Sequence, residues 1–392
     1  MRSNLNKIGL IIALIGLWRP LAAAEDFNMF SAIKSGGSFV QADLAGAWSL
    51  QALSMDGDDM RWLTADLLIG ATGIVTGTGQ DSDNQDIEII SGKLILGVDG
   101  RITGTFTLFE DPDSTAVVVA DGKLDRAISG NTQLNNYAVG IASCPNCSPD
   151  RSLLVYLTRI GSGFTQTTAG GLWRIFGTGF DNDTNRLFWI FGSFSIDSFG
   201  NVITGSFQIE NSKGQQGFFS SGQVLIDTDG RVNGFFEGTG TNDRATFGGG
   251  QMTTDINQIT LVTADNKQEK LLVVLVRSGS TQGGLFADTD IDGNWDYYGI
   301  RFDQPATDAD VSWELGRLRM QNKGIITGDG FTERDGPGGT ITGDQIEVRV
   351  QGILANGVIQ LDGISRVVNA GQMNIPPFPT TSNPTSRFTF VG

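Results

Sequence analysis

After Trp62, Trp189 and Trp313 the chain alternates apolar and polar residues with a period of two. Ala65, Leu67 and Ile69 fall on one face, as do Gly192, Phe194 and Ile196, and Gly316, Leu318 and Met320. Asp66, Ser193 and Arg317 fall on the other face with Leu68, Ser195 and Arg319, and Leu68 alone breaks the polar pattern. This is the pattern of a half-buried strand. The following strand repeats it, with Val75 and Gly77, Ile203 and Gly205, and Ile326 and Gly328 inward, and Thr76, Thr204 and Thr327 outward. Asp-Gly pairs mark the turns between runs of about a dozen residues. Two of them sit in near-identical decamers, GVDGRITGTF at 97–106 and DTDGRVNGFF at 227–236.

The near-identity is one trace of an internal repeat. G-x-W occurs at Gly46 to Trp48, Gly171 to Trp173 and Gly293 to Trp295, and Trp62, Trp189 and Trp313 follow in turn. Ahead of each G-x-W stand the similar segments KSGGSFVQ, RIGSGFTQ and RSGSTQ. Their basic residues, Lys34, Arg159 and Arg277, are read as introducing a unit. The units are then 34–158, 159–276 and 277–392, after an N-terminal leader at 25–33. The second unit reads as eight strands near 172–180, 187–197, 201–210, 217–227, 231–239, 245–253, 257–263 and 270–277. Connections are short, so strands adjacent in sequence pair in space. An antiparallel meander of eight strands removes its free edges by closing into an up-and-down barrel. The predicted fold is all-β, three tandem antiparallel β-barrels, with each Asp-Gly-Arg decamer joining a fourth to a fifth strand. In the third unit the proline-rich NIPPFPTTSNPTS replaces the seventh strand with a loop.

A meander of this size opened by G-x-W resembles the lipocalin and avidin-type barrels, with Trp48, Trp173 and Trp295 in the place of the lipocalin first-strand tryptophan. ITGTF and ITGSF are similar to avidin-type strands. The resemblance implies an eight-stranded barrel and, by analogy, a small apolar ligand. No T-D-Y element is present, and Arg159 and Arg277 are assigned to the next unit's lead-in rather than to a terminal arginine lying on the tryptophan.

Composition narrows the setting. The chain has 392 residues, too many for one ordinary domain, and 54 glycines, about twice the usual share. Residues 1–24 read as a signal peptide, with Arg2 and Lys7, an apolar run from Ile8 to Trp18, and Ala22 to Ala24 before the cleavage point. That run is too short for a membrane-spanning helix, so an exported protein without a transmembrane helix is expected. Removal of the leader leaves 24 Lys and Arg against 43 Asp and Glu, a net charge of −19. Nucleic acid and anionic membrane surfaces are unsuitable partners for such a chain.

Candidate chemistry is sparse. The sequence contains no histidine, which removes Ser-His-Asp and Cys-His catalysis and imidazole metal sites. A non-enzymatic protein without a cofactor is expected, with an activity based on paired carboxylates as the alternative. Cys144 and Cys147 flank Pro145 and Asn146. These suit the centre of a β-turn, and an oxidising compartment makes a structural disulfide the favoured reading over a redox role. Asp288, Asp290 and Asp292 alternate before Gly293 as in calcium loops, but the twelfth position is Gly299 and a strand follows. Calcium stands there as the alternative to an acidic linker. Three functions are compatible with these features. An exported scaffold, surface or protein-interaction component is favoured because tandem units extend reach and avidity. A carrier of small apolar ligands and an outer-membrane barrel are the alternatives.

Overall fold

The computed structural model describes residues 27–56, 59–110, 113–125, 127–129, 132–144, 151–181, 186–211, 219–238, 244–263, 269–278, 292–303, 310–321, 325–333, 341–349, 352–353, 358–363, 366–369 and 386–391. They divide into two compact units. One runs from Gly37 to Gly283, and the other joins the N-terminal segment up to Gly36 to the chain from Gly284 onward.

The chain opens with β1 (Phe27–Lys34), which belongs to the second unit. The first unit begins with a closed antiparallel barrel. Its strands are β2 (Gly46–Asp56), β3 (Asp59–Ile69), β4 (Val75–Asp81), β5 (Asp86–Leu96), β6 (Arg101–Glu110) and β7 (Asp113–Leu124), followed, after the small hairpin of β8 (Ala127–Ser129) and β9 (Thr132–Leu134), by β10 (Tyr137–Cys144) and β11 (Arg151–Arg159). The last strand, β11, pairs back onto β2 and closes the ring. The period-two reading holds here. Ala65, Leu67 and Ile69 are buried in the core, whereas Leu68 is 61% exposed.

A second antiparallel sheet of eight strands completes this unit. It contains β12 (Gly171–Asp181), β13 (Arg186–Ile196), β14 (Gln208–Asn211), β15 (Phe219–Ile226), β16 (Arg231–Gly238), β17 (Arg244–Met252), β18 (Gln258–Thr263) and β19 (Glu269–Ser278). It is nearly closed. The third strand expected at 201–210 is interrupted, because Gly205 turns the backbone at φ +78° and Ser206 Oγ accepts the amide of Ser195 in place of a ladder partner. Before that turn, Asn201 and Val202 bridge to Gln223 and Ile196, so the gap between β13 and β15 is spanned at one end.

The repeated decamers form the hairpins between the fourth and fifth strands of each barrel, β5 to β6 and β15 to β16. Gly100 and Gly230 adopt φ +88° and +86° there. A Cβ at Gly100 would stand 2.6 Å from the Phe39 ring, and one at Gly230 would stand 2.7 Å from the Phe164 ring. Positive φ and close packing both require glycine. Both barrels also carry a ladder irregularity two residues later, between Ile102 and Gly104 and between Val232 and Gly234, which adds the local bend that closure needs.

The second unit holds a six-stranded sheet ordered β1, β20 (Gly293–Asp303), β21 (Asp310–Gln321), β22 (Ile325–Glu333), β23 (Ile341–Arg349) and β26 (Arg366–Asn369), where the last two are separated in sequence by β24 (Gly352–Ile353) and β25 (Val358–Gly363). A three-stranded sheet joins β24, β25 and β27 (Ser386–Val391). The proline-rich segment expected to form a loop lies outside the described residues. The antiparallel, all-β barrel class is as expected.

Candidate functional site

One end of each of the first two barrels is sealed by the segment leading into its first strand. A short 3-10 turn, Gln41–Leu44 in one and Gln166–Ala169 in the other, lays its backbone beside the opening tryptophan. Trp48 Nε1 donates to the carbonyl of Leu44 at 2.8 Å, and Trp173 Nε1 donates to that of Ala169 at 2.7 Å. The glutamine starting each turn behaves as a strand residue. Gln41 Nε2 donates to the Leu94 carbonyl at 3.2 Å and its Oε1 accepts from the Leu96 amide at 2.9 Å. Gln166 does the same with Val224 and Ile226, at 2.8 and 2.9 Å.

A cation covers each tryptophan from the strand paired beside it. The Arg159 guanidinium lies 4.3 Å from the Trp48 ring centroid, and that of Arg277 lies 4.8 Å from Trp173. In the second unit Lys34 Nζ lies 5.5 Å from Trp295. The ladders place the same pairs opposite one another: Arg159 with Trp48, Arg277 with Trp173, and Lys34 with Trp295. Each basic residue therefore lies at the end of the strand paired with that of its tryptophan, and the sequence reading that Arg159 and Arg277 belong to the next unit's lead-in rather than lying on a tryptophan is corrected. Arg159 also donates to the carbonyls of Asn135, Ala45 and Asp43 at 2.7, 2.8 and 2.6 Å. Burial lowers the pKa of this guanidinium, with the charge of Asp43 opposing the shift. Burial likewise lowers that of Arg277, which donates to the Thr168 carbonyl. The signal for these contacts was present in the lead-in segments, where a basic residue, a phenylalanine and a glutamine recur in KSGGSFVQ and RIGSGFTQ. Sequence alone does not say which sheet each letter serves.

The barrel interiors are occupied by side chains. In the second barrel Phe236 touches Phe194, Phe207, Phe219 and Phe247, with ring centroids 5.1, 5.5, 5.3 and 5.0 Å away. Edge-to-face geometry dominates two of these contacts, at interplanar angles of 73° and 88°. The first barrel, where Leu67 and Gly79 stand in place of two of those rings, contains an apolar void of about 30 Å³ lined by residues including Leu50, Leu94, Phe106, Val119 and Leu157. Pockets for drug-sized ligands run to about 300 Å³ or more. Even a cavity that takes benzene is about 150 Å³.

The two barrels meet along their sides, through β2 and β3 of the first and β17, β18 and β19 of the second. Outward-facing Gln51, Leu53, Val262 and Leu272 are as buried as the core. Gln51 Nε2 and Thr64 Oγ1 both donate to the carbonyl of Gly249, at 2.9 and 3.2 Å. Gly249 adopts φ +62°, and a Cβ there would stand 2.7 Å from Thr64 Oγ1. Around this contact, Arg231 pairs with Asp66 at 2.5 Å, Lys270 with Asp83 at 3.6 Å, and Thr254 with Asn136. The hydrogen bond to Asp66 raises the Arg231 pKa, burial opposes it, and Asp229 adds to the rise.

The other residues singled out from sequence are scattered. Trp62 is buried, Trp189 is half-buried, and Trp313 stands opposite Ile300 in the β20–β21 ladder. Cys144 ends β10 and is buried, while Cys147 lies outside the described residues. Asp292 directly precedes β20, and Asp288 and Asp290 lie outside the described residues. No group of three potential metal ligands occurs among the described residues, and none of their helices is long and apolar enough to cross a membrane. Comparison of the chain with known protein families, with curated proteins and with solved structures finds no significant match.

Proposed function

We propose that this is an exported, non-enzymatic scaffold or interaction protein whose barrels act through their outer faces and loops. The observation that carries the reading is the filled interior. Five phenylalanines occupy the second barrel, and the void in the first is about 30 Å³. Among the described residues a carried ligand would have to displace these side chains, so this reading places recognition on the exterior. Exposed apolar side chains recur there at matching places. Ile95, between the two residues held by Gln41, is 52% exposed, and Leu225, between the two held by Gln166, is 43% exposed. Leu68, Ile74 and Val98 on the first barrel and Phe199 on the second add to these surfaces, as does Ile203, which the alternation places inward but which is 49% exposed with Val202 buried in its stead. Exposed apolar groups of this kind favour contact with another macromolecule.

The third repeat is included in this proposal as a third barrel. Its support is the shared register of cation and tryptophan, which is the same in β1–β20 as in the closing ladders of the other two. The arginine over the opening tryptophan also favours the resemblance to lipocalin-type barrels as an architecture, without the ligand.

Fractionation of the producing cell, with intact-mass analysis of the recovered protein, tests the scaffold reading. Recovery from the secreted or surface fraction without detergent, beginning at Glu25 and free of a bound small molecule, is expected. The paired substitutions Ile95→Asp and Leu225→Asp should then abolish surface retention or co-purification of a partner while leaving the circular-dichroism spectrum unchanged. A stoichiometric apolar ligand would establish the carrier function instead, and extraction only by detergent would establish an outer-membrane barrel.

A further inference from the structure

In the first two barrels the opening strand pairs with the strand that ends its own repeat, β2 with β11 and β12 with β19. The sheet containing Trp295 is bordered instead by β1, which precedes both of those barrels in sequence. The eight residues of β1 pair in continuous register with β20, from Phe27 opposite Phe302 to Lys34 opposite Trp295. Ser31, Ala32 and Ile33 are at most 1% exposed. The contact continues past the strand, where the Ser35 amide donates to the Asn294 carbonyl at 2.7 Å and Ser35 Oγ donates to Asp296 Oδ2 at 2.5 Å, across 261 positions of sequence. This strand is thus tightly seated, yet nothing in its main-chain pairing requires that it belong to the same molecule.

Its tether permits exchange. Gly36 and Gly37 are exposed and adopt φ +128° and +118°, and a Cβ at Gly36 would meet nothing within 4 Å. Two successive glycines in such conformations form a hinge at which the strand can swing out without losing packing. Strand and seat are also separated by more than 250 positions of sequence, so during synthesis β1 is made long before its own β20. We propose that β1 is exchanged between copies, the N-terminal strand of one chain occupying the β20 edge of the next. Donor and acceptor surfaces differ, so the exchange is satisfied either reciprocally in a closed pair or head to tail along successive copies. Every hydrogen bond of the seat is retained on exchange, and local chain concentration decides between the two pairings. The exchange concerns how copies join and is independent of what the barrel surfaces bind.

Cysteine pairing across the ladder tests it in the full-length chain. Ser31 and Tyr298 stand opposite each other. A chain carrying both Ser31→Cys and Tyr298→Cys reports the pairing itself through a disulfide between these positions. Two chains, one with each substitution, are co-exported and run without reductant. A reductant-sensitive species of twice the monomer mass, whose linked peptides contain positions 31 and 298, is the expected result. Its absence, when the doubly substituted chain forms the bond only within monomers, overturns the exchange. No bond in either experiment overturns the seat as well.

Discussion

Arg159 stands directly opposite Trp48 in the ladder that closes the first barrel, and its guanidinium lies 4.3 Å from the indole centroid. It also donates to three main-chain carbonyls from the segments on either side, at Asn135, Ala45 and Asp43. One side chain thereby fastens the barrel's last strand, its lead-in turn and its first strand.

Replacing Arg159 with alanine removes these contacts at once. Hydrogen bonds to a charged group contribute about 1.5–3 kcal/mol each at most, and a partly desolvated cation-π contact about 1–2 kcal/mol. Because the terms overlap, a loss of about 3 kcal/mol is expected in denaturant unfolding. Arg159→Lys should recover part of it by keeping the cation. Arg277→Ala should cost less, since that guanidinium makes its described carbonyl bond to Thr168 alone.

Gly249→Val attacks the seam between barrels. The positive φ and the contact with Thr64 each oppose a β-branched side chain. The two donors that meet at its carbonyl, from Gln51 and Thr64, then lose their geometry. A fragment spanning 37–278 should unfold in one transition, and Gly249→Val should split it into two in calorimetry while each barrel keeps its own core. A single transition in the variant would show that the seam contributes little coupling.

Phe236→Ala tests whether filling excludes ligand. Deleting a ring that touches four others should cost about 3–5 kcal/mol and leave a cavity in the second barrel. The variant is expected to bind benzene-sized apolar molecules saturably, whereas the unmodified protein does not. Saturable binding by the unmodified chain would contradict a filled interior.

Cys144 and Cys147 are expected to pair in exported protein, since they flank Pro145 and Asn146, residue types that suit the centre of a β-turn. Intact mass should be about 2 Da below that of the reduced chain, and restored by reductant. Free thiols on both residues in freshly exported protein would exclude the pairing.

Much of the architecture was legible because its determinants are local. Alternation after Trp62 and Trp189 specified which face of β3 and β13 enters the core, and the Asp-Gly pairs at 99 and 229 specified hairpins through backbone conformations that glycine alone adopts freely. The seam between barrels was less legible. Leu271 to Val276 is an unbroken apolar run rather than an alternating one, with Leu272 buried outward and Leu271 buried inward. Such a run signals burial on both faces but does not name the neighbour.

The sequence by itself determined the strand period, the repeated G-x-W opening and the hairpins, because each depends on residues within a few positions of one another. Only the tertiary structure decided what the basic residues do. Lys34, Arg159 and Arg277 occur in similar strings, yet two cover the tryptophan about a hundred residues before them and the third covers Trp295, far downstream. Strand pairing across such distances is fixed by which sheet edge remains open once the local hairpins have formed, and that is a property of the folded chain as a whole.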